Sequence, residues 1–526
     1  MHYSRIAALL AGFSLSAMAA APQGPDFNLD QYRQAVKTLA SDAFEGRAPL
    51  SEGEAKTIAY LKDQFQQAGL KPGYQGSYFQ PVELGQITAS QDMTLKVGDL
   101  SFKPGTDFVA VTQRFAPQTQ LKDSDLVFAG YGIHAPEQGW DDYKGIDVKG
   151  KTVMVLVNDP GFATQDPKVF RGNTMTYYGR WTYKYEEALR QGAAGVLIVH
   201  ETAPAAYPWG VVQSGAIGAK FSLVDKNDNA GALAVRGWVQ KATAEAILKA
   251  AGQDYEALKA AAAKPGFKAV DLHQPVNLTL NNSLKKGTSH NVVGMIKGSQ
   301  HPDQYVVISA HWDHLGRNPD LKGDQIYNGA VDNATGAAAL ISLAKAFQHK
   351  APKRSVIFVA FTGEEQGLLG ATAFAAKPPV PTKEMVALLN MDGMNVSGKV
   401  DYALLFGRGQ NELERYLAKG AKAQGRVIKD DPKPQDGYYF RSDHFALAHK
   451  GVPGLLFMSL GANSPDYIAH RYHKPADEYS PDWDLTGLNE DLKLIFGIAD
   501  RLANNQDWPK WYQGSEFKAA RAKDRH

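Results

Sequence analysis

The second half of the chain alternates short apolar runs with helical stretches. Apolar runs of the length of buried strands lie at residues 305–309, 355–361, 386–391 and 454–458. Between them, apolar residues spaced three and four apart predict helices over 336–347 and 413–424. Parallel strands need cover on both faces, so this alternation predicts an α/β fold in which a mainly parallel or mixed sheet is sandwiched by helices.

The first half of the chain has a different pattern. Apolar residues three and four apart predict helices between residues 29 and 69, and Gly69 provides a stop. From about residue 73 to residue 126 the sequence changes to short alternating runs with Gly and Pro between them. Further strands are predicted at 126–131, 152–157 and 195–200. The polar, Pro-bearing stretch at 265–276 indicates a domain boundary.

The first twenty residues form a separate unit. Arg5 precedes an apolar run that begins at Ile6, and small residues follow at Ala17, Ala19 and Ala20. This pattern is typical of a cleavable secretory signal peptide, so we expect an exported protein of the bacterial periplasm or medium. No later stretch approaches the roughly 18 uninterrupted apolar residues of a membrane span.

The composition limits the binding partners and the metal ligands that this protein can use. The 526 residues contain 57 Lys plus Arg against 55 Asp plus Glu, a formal charge of +2 that gives no reason to expect a nucleic acid or an anionic membrane as partner. The sequence has no cysteine, which excludes disulfides, thiolate nucleophiles and Cys-ligated metals. Any bound metal must therefore use histidine and carboxylate ligands.

Residues with such ligands follow three of the predicted strands or lie in loops. They are His311 and Asp313 after 305–309, Glu364 and Glu365 after 355–361, Asp392 after 386–391, and Asp332 and His473 in loops. Sites in α/β sheets form beyond the carboxyl ends of the strands, so these groups are expected to converge. Crowded carboxylates repel one another unless cations neutralise them, which favours two divalent ions, and zinc suits His with carboxylate.

Each of these residues also has a purely structural interpretation. The Glu364–Glu365 pair is compatible with an exposed helix start, and Asp332 with a helix N-cap. His473 is compatible with a surface histidine. The run Ser442-Asp443-His444 suggests a catalytic triad, but no Gly-x-Ser-x-Gly motif encloses the serine. The joint arrangement of the ligands favours the metal site.

These residues resemble the M28 family of co-catalytic zinc peptidases. The matching segments are SAHWDH at 309–314, GAVDNATG at 329–336, FTGEEQGLLG at 361–370, NMDG at 390–393 and YHKPADE at 472–478. The resemblance implies that His311 and Asp392 bind one of two Zn²⁺ ions. It implies that Glu365 and His473 bind the other, and that Asp332 bridges the two.

The same resemblance implies the catalytic roles. Glu364 is the expected general base and acid for hydrolysis of a peptide bond by a metal-bridging hydroxide. Asp313 is expected to orient His311, and Tyr472 to steady the tetrahedral intermediate. His314 flanks the first motif and is interpreted as a supporting or structural residue. Asp443 is expected to have a structural role near the substrate pocket.

A second resemblance concerns the middle of the chain. The segments VFAGYGI at 127–133, YKGIDVKGKTVMVLV at 143–157 and EALRQGAAGVLIV at 187–199 resemble a protease-associated (PA) domain, a β-rich module often inserted in this family. We therefore predict four units: a signal peptide at 1–20, an N-terminal part of the peptidase domain at 21–124, a PA-like insertion at 125–275, and the main peptidase part at 280–526.

The resulting hypothesis is an exported dizinc aminopeptidase that acts on peptides. A carboxypeptidase or dipeptidase stays open, because Arg441 and Arg471 could bind a terminal carboxylate. Glutaminyl cyclisation, which needs a single zinc, is a further activity of related sequences. A non-catalytic binding protein is the alternative from another class. The sequence indicates neither the side-chain preference nor the oligomeric state.

Overall fold

The computed structural model describes residues 24–349, 351–459 and 464–525. The predicted signal peptide at 1–20 lies outside these ranges and stays a prediction. Within these ranges, none of the helices combines the length and the apolar character that crossing a membrane requires.

The strands are numbered in chain order. They are β1 Lys71–Pro72, β2 Phe79–Ala89, β3 Leu95–Val97, β4 Leu100–Phe102, β5 Phe108–Val111, β6 Gln118–Phe128, β7 His134–Ala135, β8 Trp140–Asp141, β9 Thr152–Leu156, β10 Gly195–His200, β11 Lys220–Leu223, β12 Val235–Gln240, β13 Val270–Ile296, β14 His301–His311, β15 Gly316–Arg317, β16 Ile326–Tyr327, β17 Arg354–Phe361, β18 Met385–Met391, β19 Tyr402–Leu405, β20 Val427–Asp430 and β21 Gly454–Met458.

The α-helices are numbered in the same way. They are α1 Leu29–Leu39, α2 Glu52–Gln67, α3 Pro160–Thr164, α4 Trp181–Arg190, α5 Thr202–Ala205, α6 Trp209–Ala216, α7 Lys241–Ala250, α8 Tyr255–Ala262, α9 Thr335–Ala346, α10 Leu369–Ala376, α11 Leu413–Ala423, α12 His444–Ala448, α13 Pro465–His470, α14 Thr486–Asn504 and α15 Lys518–Arg525.

The first sheet is mixed, and helices cover both of its faces. Its order is β11–β2–β13–β17–β14–β18–β21–β19–β20, and the central strands β17, β14, β18 and β21 run parallel. Apolar residues of α1, α2, α9 and α14 pack on one face, and those of α10 and α12 on the other. The predicted α/β sandwich is confirmed.

The predicted strands and helices of this sheet agree with the structure. The predicted strands at 305–309 and 355–361 fall within β14 and β17, and the helix predicted at 413–424 is α11. The helical region between 29 and 69 is interrupted by a 3-10 turn, Asp42–Arg47. Gly46 in this turn has a φ of +66°, and an added Cβ would lie 2.5 Å from the Gly316 carbonyl oxygen, so this position requires glycine.

A second sheet contains the middle of the chain. Its order is β5–β12–β10–β9–β6–β13–β3–β4, so the 27-residue strand β13 runs through both sheets. Both predicted limits of the insertion fall inside strands: residue 125 in β6 and residue 275 in β13. The second sheet begins earlier than predicted, because β3, β4 and β5 pair within it rather than within the first sheet. The PA-like identity of this region stays a prediction.

Candidate metal centre

The three parallel strands β14, β17 and β18 deliver the predicted ligands to one edge of the first sheet. His311 is the last residue of β14, and Asp392 follows directly after β18. Glu364 and Glu365 lie three and four residues beyond the end of β17 at Phe361. The β14–β17 and β14–β18 pairs are in register up to these ends, so the side chains meet although they are distant in sequence.

A first group of donors consists of His311, Glu364 and Asp392. One ligand atom from each lies within 4.8 Å of the others. His311 Nε2 lies 3.2 Å from Asp392 Oδ1. His311 is 1% exposed, so its ring is fixed within the protein.

A second group of donors consists of His314, Asp332 and Glu365, again within 4.8 Å of one another. His314 Nδ1 lies 2.6 Å from Glu365 Oε1. His473 joins this group from the late loop, with Nε2 at 3.0 Å from Glu365 Oε2.

Asp332 lies between the two groups. Its Oδ1 is 3.4 Å from His311 Nε2, and its Oδ2 is 3.3 Å from His473 Nε2. The two carboxylate oxygens therefore face the two groups separately, the orientation that a bridging ligand requires. The peptide bond between Asp332 and Asn333 is cis.

The electrostatic environment of the centre shifts the pKa values of the two adjacent glutamates in opposite directions. Burial raises the pKa of Glu364 well above its usual range, and the charge of Asp392 adds to this rise. Burial acts in the same direction on Glu365, but His473 and His314 lower the pKa of that carboxyl to about 2. Glu365 is thus held as an anion, while Glu364 is a group that takes up a proton readily.

Asp332 and His473 form a charged pair across this centre. Burial alone would raise the pKa of Asp332, yet the nearby imidazole rings of His311 and His473 hold it well below its usual range. Burial acts against protonation of His473, but Glu365 and Asp332 raise the pKa of that ring to about 10. Positive charge is therefore favoured between these carboxylates.

A further set of side chains holds the ligands in place. Asp313 accepts a hydrogen bond from the Glu364 backbone N–H at 3.0 Å, and its carboxylate lies 3.7 Å from His311 Nδ1. His311 Nδ1 is closer to the Asp313 backbone carbonyl, at 3.1 Å. Ser442 Oγ donates to Asp392 Oδ2 at 2.7 Å. Tyr472 stacks on the His473 ring, with centroids 3.9 Å apart.

Arg47 connects, through hydrogen bonds, the loops that carry ligands of both groups. Its guanidinium donates to the backbone carbonyls of Trp312, Asn328 and Gly329 at 2.6 to 2.9 Å. It also donates to the Leu39 carbonyl at 2.7 Å and is 1% exposed. The bend at Gly46 brings this arginine into the centre of the fold, next to the segments that hold His311 and Asp332.

The structure brings together all eight predicted site residues, and it adds three that sequence reasoning missed or set aside. His314 was interpreted as a supporting or structural residue, although it lies three residues after His311 and contacts Glu365 directly. Ser442 was noticed only as part of a false triad. Nothing in the sequence around Arg47 indicated its role, because its hydrogen-bond partners are backbone carbonyls, most of them distant in sequence.

The donor set fits zinc. Imidazole nitrogen and carboxylate oxygen are the ligands that Zn²⁺ takes in the absence of cysteine. Two buried atoms of the centre, His473 Nε2 and Asp313 Oδ2, have no hydrogen-bond partner among the described residues. Asp332 presents one oxygen to each group. The fold and this centre define an α/β protein with two neighbouring groups of candidate metal ligands at the strand ends.

Residues 291–496 match the model of Peptidase family M28, and they include every predicted ligand. The chain therefore contains a peptidase family M28 domain, which confirms the resemblance stated from the motifs. A "Probable zinc metalloprotease" of Pyrenophora teres f. teres (strain 0-1) is 40% identical over 119 residues, 22% of this chain and 23% of that protein. "Aminopeptidase NAALADL1" of Mus musculus is 31% identical over 138 residues, 24% of this chain and 17% of that protein.

The chain thus matches a quarter or less of the length of these curated relatives. A solved structure, "Aminopeptidase from Aneurinibacillus sp. strain AM-1", aligns over 92% of this chain and 96% of its own. Its TM-score is 0.51 at 19% sequence identity. This likeness extends over both sheets and concerns the fold alone.

Proposed function

We propose that this chain is a zinc-dependent peptidase that releases residues from the amino terminus of peptides. One observation carries the proposal: the two oxygens of Asp332 face His311 and His473 separately, at 3.4 and 3.3 Å. The names of the relatives, a zinc metalloprotease and an aminopeptidase, agree with this assignment.

In this proposal the chain holds two zinc ions. His311 and Asp392 would hold one ion, Glu365 and His473 would hold the other, and Asp332 would contribute to both. His314 contacts Glu365 and orients it. Bound zinc would supply an activated water molecule and polarisation of the scissile carbonyl group.

The residues of the chain move the proton. Glu364 accepts a proton from the attacking water as the oxygen adds to the peptide carbonyl carbon, and it then delivers that proton to the leaving amine nitrogen. Its raised pKa suits a group that must hold the proton between these steps. The proposal assigns to the Tyr472 hydroxyl a hydrogen bond to the developing oxyanion, and the stacking of its ring on His473 supports this role.

The proposal is tested with three versions of one peptide: unblocked, N-acetylated and C-amidated. Mass spectrometry of a time course identifies the end from which residues are lost. We expect the unblocked and C-amidated peptides to shorten from the amino terminus and the N-acetylated peptide to stay intact. Protein treated with a chelator should be inactive and should recover when zinc is added.

Other patterns would favour the alternatives. Protection by the C-terminal amide indicates a carboxypeptidase or dipeptidase. Cyclisation of an N-terminal glutamine indicates that the chain is a glutaminyl cyclase. Zinc-loaded protein that cleaves no peptide in the set indicates a binding protein and contradicts the proposal.

A further inference from the structure

One aromatic side chain joins the region of the second sheet, here called the second region, to the C-terminal part of the chain. Tyr177 lies in the connection between β9 and β10 and is 7% exposed. Its ring centroid is 4.5 to 6.3 Å from those of four rings in the C-terminal part, which are Phe440, Phe445, His449 and Phe517. Rings at these separations attract one another in defined orientations, so this contact holds the two parts together.

Hydrogen bonds on both sides of the ring fix Tyr177 in this place. Its backbone N–H donates to Glu516 Oε1 at 3.1 Å, and its hydroxyl donates to Glu186 Oε2 within the second region. Two residues earlier, the Met175 N–H donates to the Pro434 carbonyl at 3.1 Å. The ring therefore has a defined position relative to both parts of the chain.

Two of the four rings around Tyr177 bracket Ser442 in the sequence. Phe440 precedes Ser442 by two residues, and Phe445 follows it by three. The Phe445 backbone N–H donates to the Ser442 carbonyl at 3.0 Å, and the two phenylalanine rings contact each other with centroids 5.5 Å apart. The turn that carries Ser442 is thus closed by two side chains that both pack on Tyr177.

Ser442 connects this turn to the metal centre. Its Oγ accepts a hydrogen bond from Asn390 Nδ2 at 2.6 Å and donates to Asp392 Oδ2 at 2.7 Å. The serine is 2% exposed, and the other oxygen of Asp392 lies 3.2 Å from His311 Nε2. Carboxylates that bind metals depend on such outer partners for their orientation. The position of Ser442 therefore affects how Asp392 faces the centre.

We infer that Tyr177 is a positioning residue of the proposed zinc centre: it holds Ser442 in place, and Ser442 sets the orientation of Asp392. The inference rests on the proposed function and deepens it, because it makes a residue of the second region responsible for the affinity of one ion. Tyr177 acts only through Ser442 and takes no part in bond making. The ion held by His311 and Asp392 depends on it, and the ion held by Glu365 and His473 does not.

The experiment measures zinc affinity by competition with a chromophoric chelator, together with kcat and KM for the cleavage of Leu-Ala amide. The proteins are the wild-type chain, Tyr177→Leu, Tyr177→Phe, Ser442→Ala and the double variant Tyr177→Leu/Ser442→Ala. The matched control is Tyr255→Leu. Tyr255 is a tyrosine of the second region that is 4% exposed, and its hydroxyl lies 2.9 Å from Glu201 in the same region.

We expect Tyr177→Leu to weaken the binding of one of the two zinc ions by about 10- to 100-fold and to leave the other within about twofold. Its kcat should fall by about tenfold or more with little change in KM. Tyr177→Phe keeps the ring and should keep the wild-type affinities, as should Tyr255→Leu. Ser442→Ala should reproduce the loss, and the double variant should lose no more than Ser442→Ala, because the two residues act in sequence.

Several results would overturn the inference and leave the proposed peptidase standing. They are wild-type zinc affinity in folded Tyr177→Leu, equal weakening of both ions, and losses that add in the double variant. If Tyr177→Leu does not fold, Phe440→Leu changes the same contact from the other side, and wild-type zinc affinity in that variant also excludes the role. If the wild-type chain binds no zinc and cleaves no peptide, the proposed function fails and the inference fails with it.

Discussion

The two sheets of this molecule bury charge in different ways. In the region of the second sheet, Lys184 is 0% exposed, yet its ammonium group donates to the carbonyls of Tyr131 and Tyr178 at 2.7 Å each. Asp159 accepts hydrogen bonds from the Gly161 and Thr176 backbone N–H groups and from the Thr176 hydroxyl. These two buried charges have their partners within the protein.

At the edge of the first sheet the partners are incomplete. His473 Nε2, His314 Nε2, Asp313 Oδ2 and both carboxylate oxygens of Asp443 are buried and have no hydrogen-bond partner among the described residues. Burial also raises the pKa of Asp443 well above its usual range. Because native proteins satisfy most of their buried polar atoms, this concentration marks the place where a ligand belongs.

The two regions therefore differ in what their buried charged groups do. Lys184 and Asp159 have partners that stabilise the fold, whereas the incompletely partnered groups at the edge of the first sheet favour a bound ligand. Substitution of a fully partnered buried charge should therefore mainly change the free energy of unfolding, and substitution at the centre should mainly change activity and metal content.

The largest effect is expected from Glu364→Gln. The amide cannot accept the proton of the attacking water, so kcat should fall by about 10³-fold or more while zinc content is unchanged. Steady-state kinetics and metal analysis of the same preparation measure both quantities. The matched control is Glu187→Gln, a buried acid of the second region that binds Arg190. Turnover of Glu364→Gln at the wild-type rate would remove Glu364 from the mechanism.

The next largest effect is expected from Arg47→Met. This change removes a hydrogen-bond donor from four buried carbonyls, and we expect a loss of about 3–5 kcal/mol in the free energy of unfolding. Zinc affinity should also fall, because Arg47 holds the loops next to His311 and Asp332. Urea unfolding and zinc titration test this, with Arg47→Lys as an intermediate. Unfolding of Arg47→Met at the wild-type midpoint would contradict the role of this arginine.

A smaller effect is expected from Lys184→Met in the second region. Two carbonyls lose their donor, and Asp142 and Asp159 lose a nearby cation, so we expect a destabilisation of about 2–3 kcal/mol. In folded protein, kcat/KM for a neutral peptide should stay within about twofold of wild type. A large loss of kcat in folded Lys184→Met would mean that the second region takes part in the chemistry.

The smallest effect concerns His449, which lies where the two regions meet, 4.5 Å from the Tyr177 ring. Burial, with help from Arg190 and Lys450, lowers the pKa of His449 to about 4. Since the unfolded chain binds the proton at higher pH, stability should fall as pH decreases from about 6.5 toward 4. The variant His449→Phe should lose part of this fall, about 1–2 kcal/mol by urea unfolding at pH 6.5 and 4.5. Parallel pH profiles for the two proteins would exclude His449 as a source of the fall.

The sequence was sufficient where apolar strands end in chemically distinct residues. The runs that form β14, β17 and β18 are followed by His311, Glu364 and Asp392, so the convergence of these groups at one sheet edge could be predicted from one pattern. The zinc-site hypothesis and the α/β fold depended on these three segments.

The sequence was insufficient where contacts join distant segments through the backbone. Arg47 bonds carbonyls at Trp312 and Gly329, more than 260 residues away, and nothing local indicates this. The limits of the second region were also missed, because alternating apolar runs do not state with which sheet a strand pairs. β13 contributes to both sheets without an interrupting turn.

Anomalous X-ray diffraction at the zinc absorption edge, from crystals of the zinc-loaded chain, would locate the proposed ions directly. We predict two anomalous peaks with Asp332 between them, one beside His311 and Asp392 and the other beside Glu365 and His473. A single peak, or two peaks away from these five side chains, would contradict it.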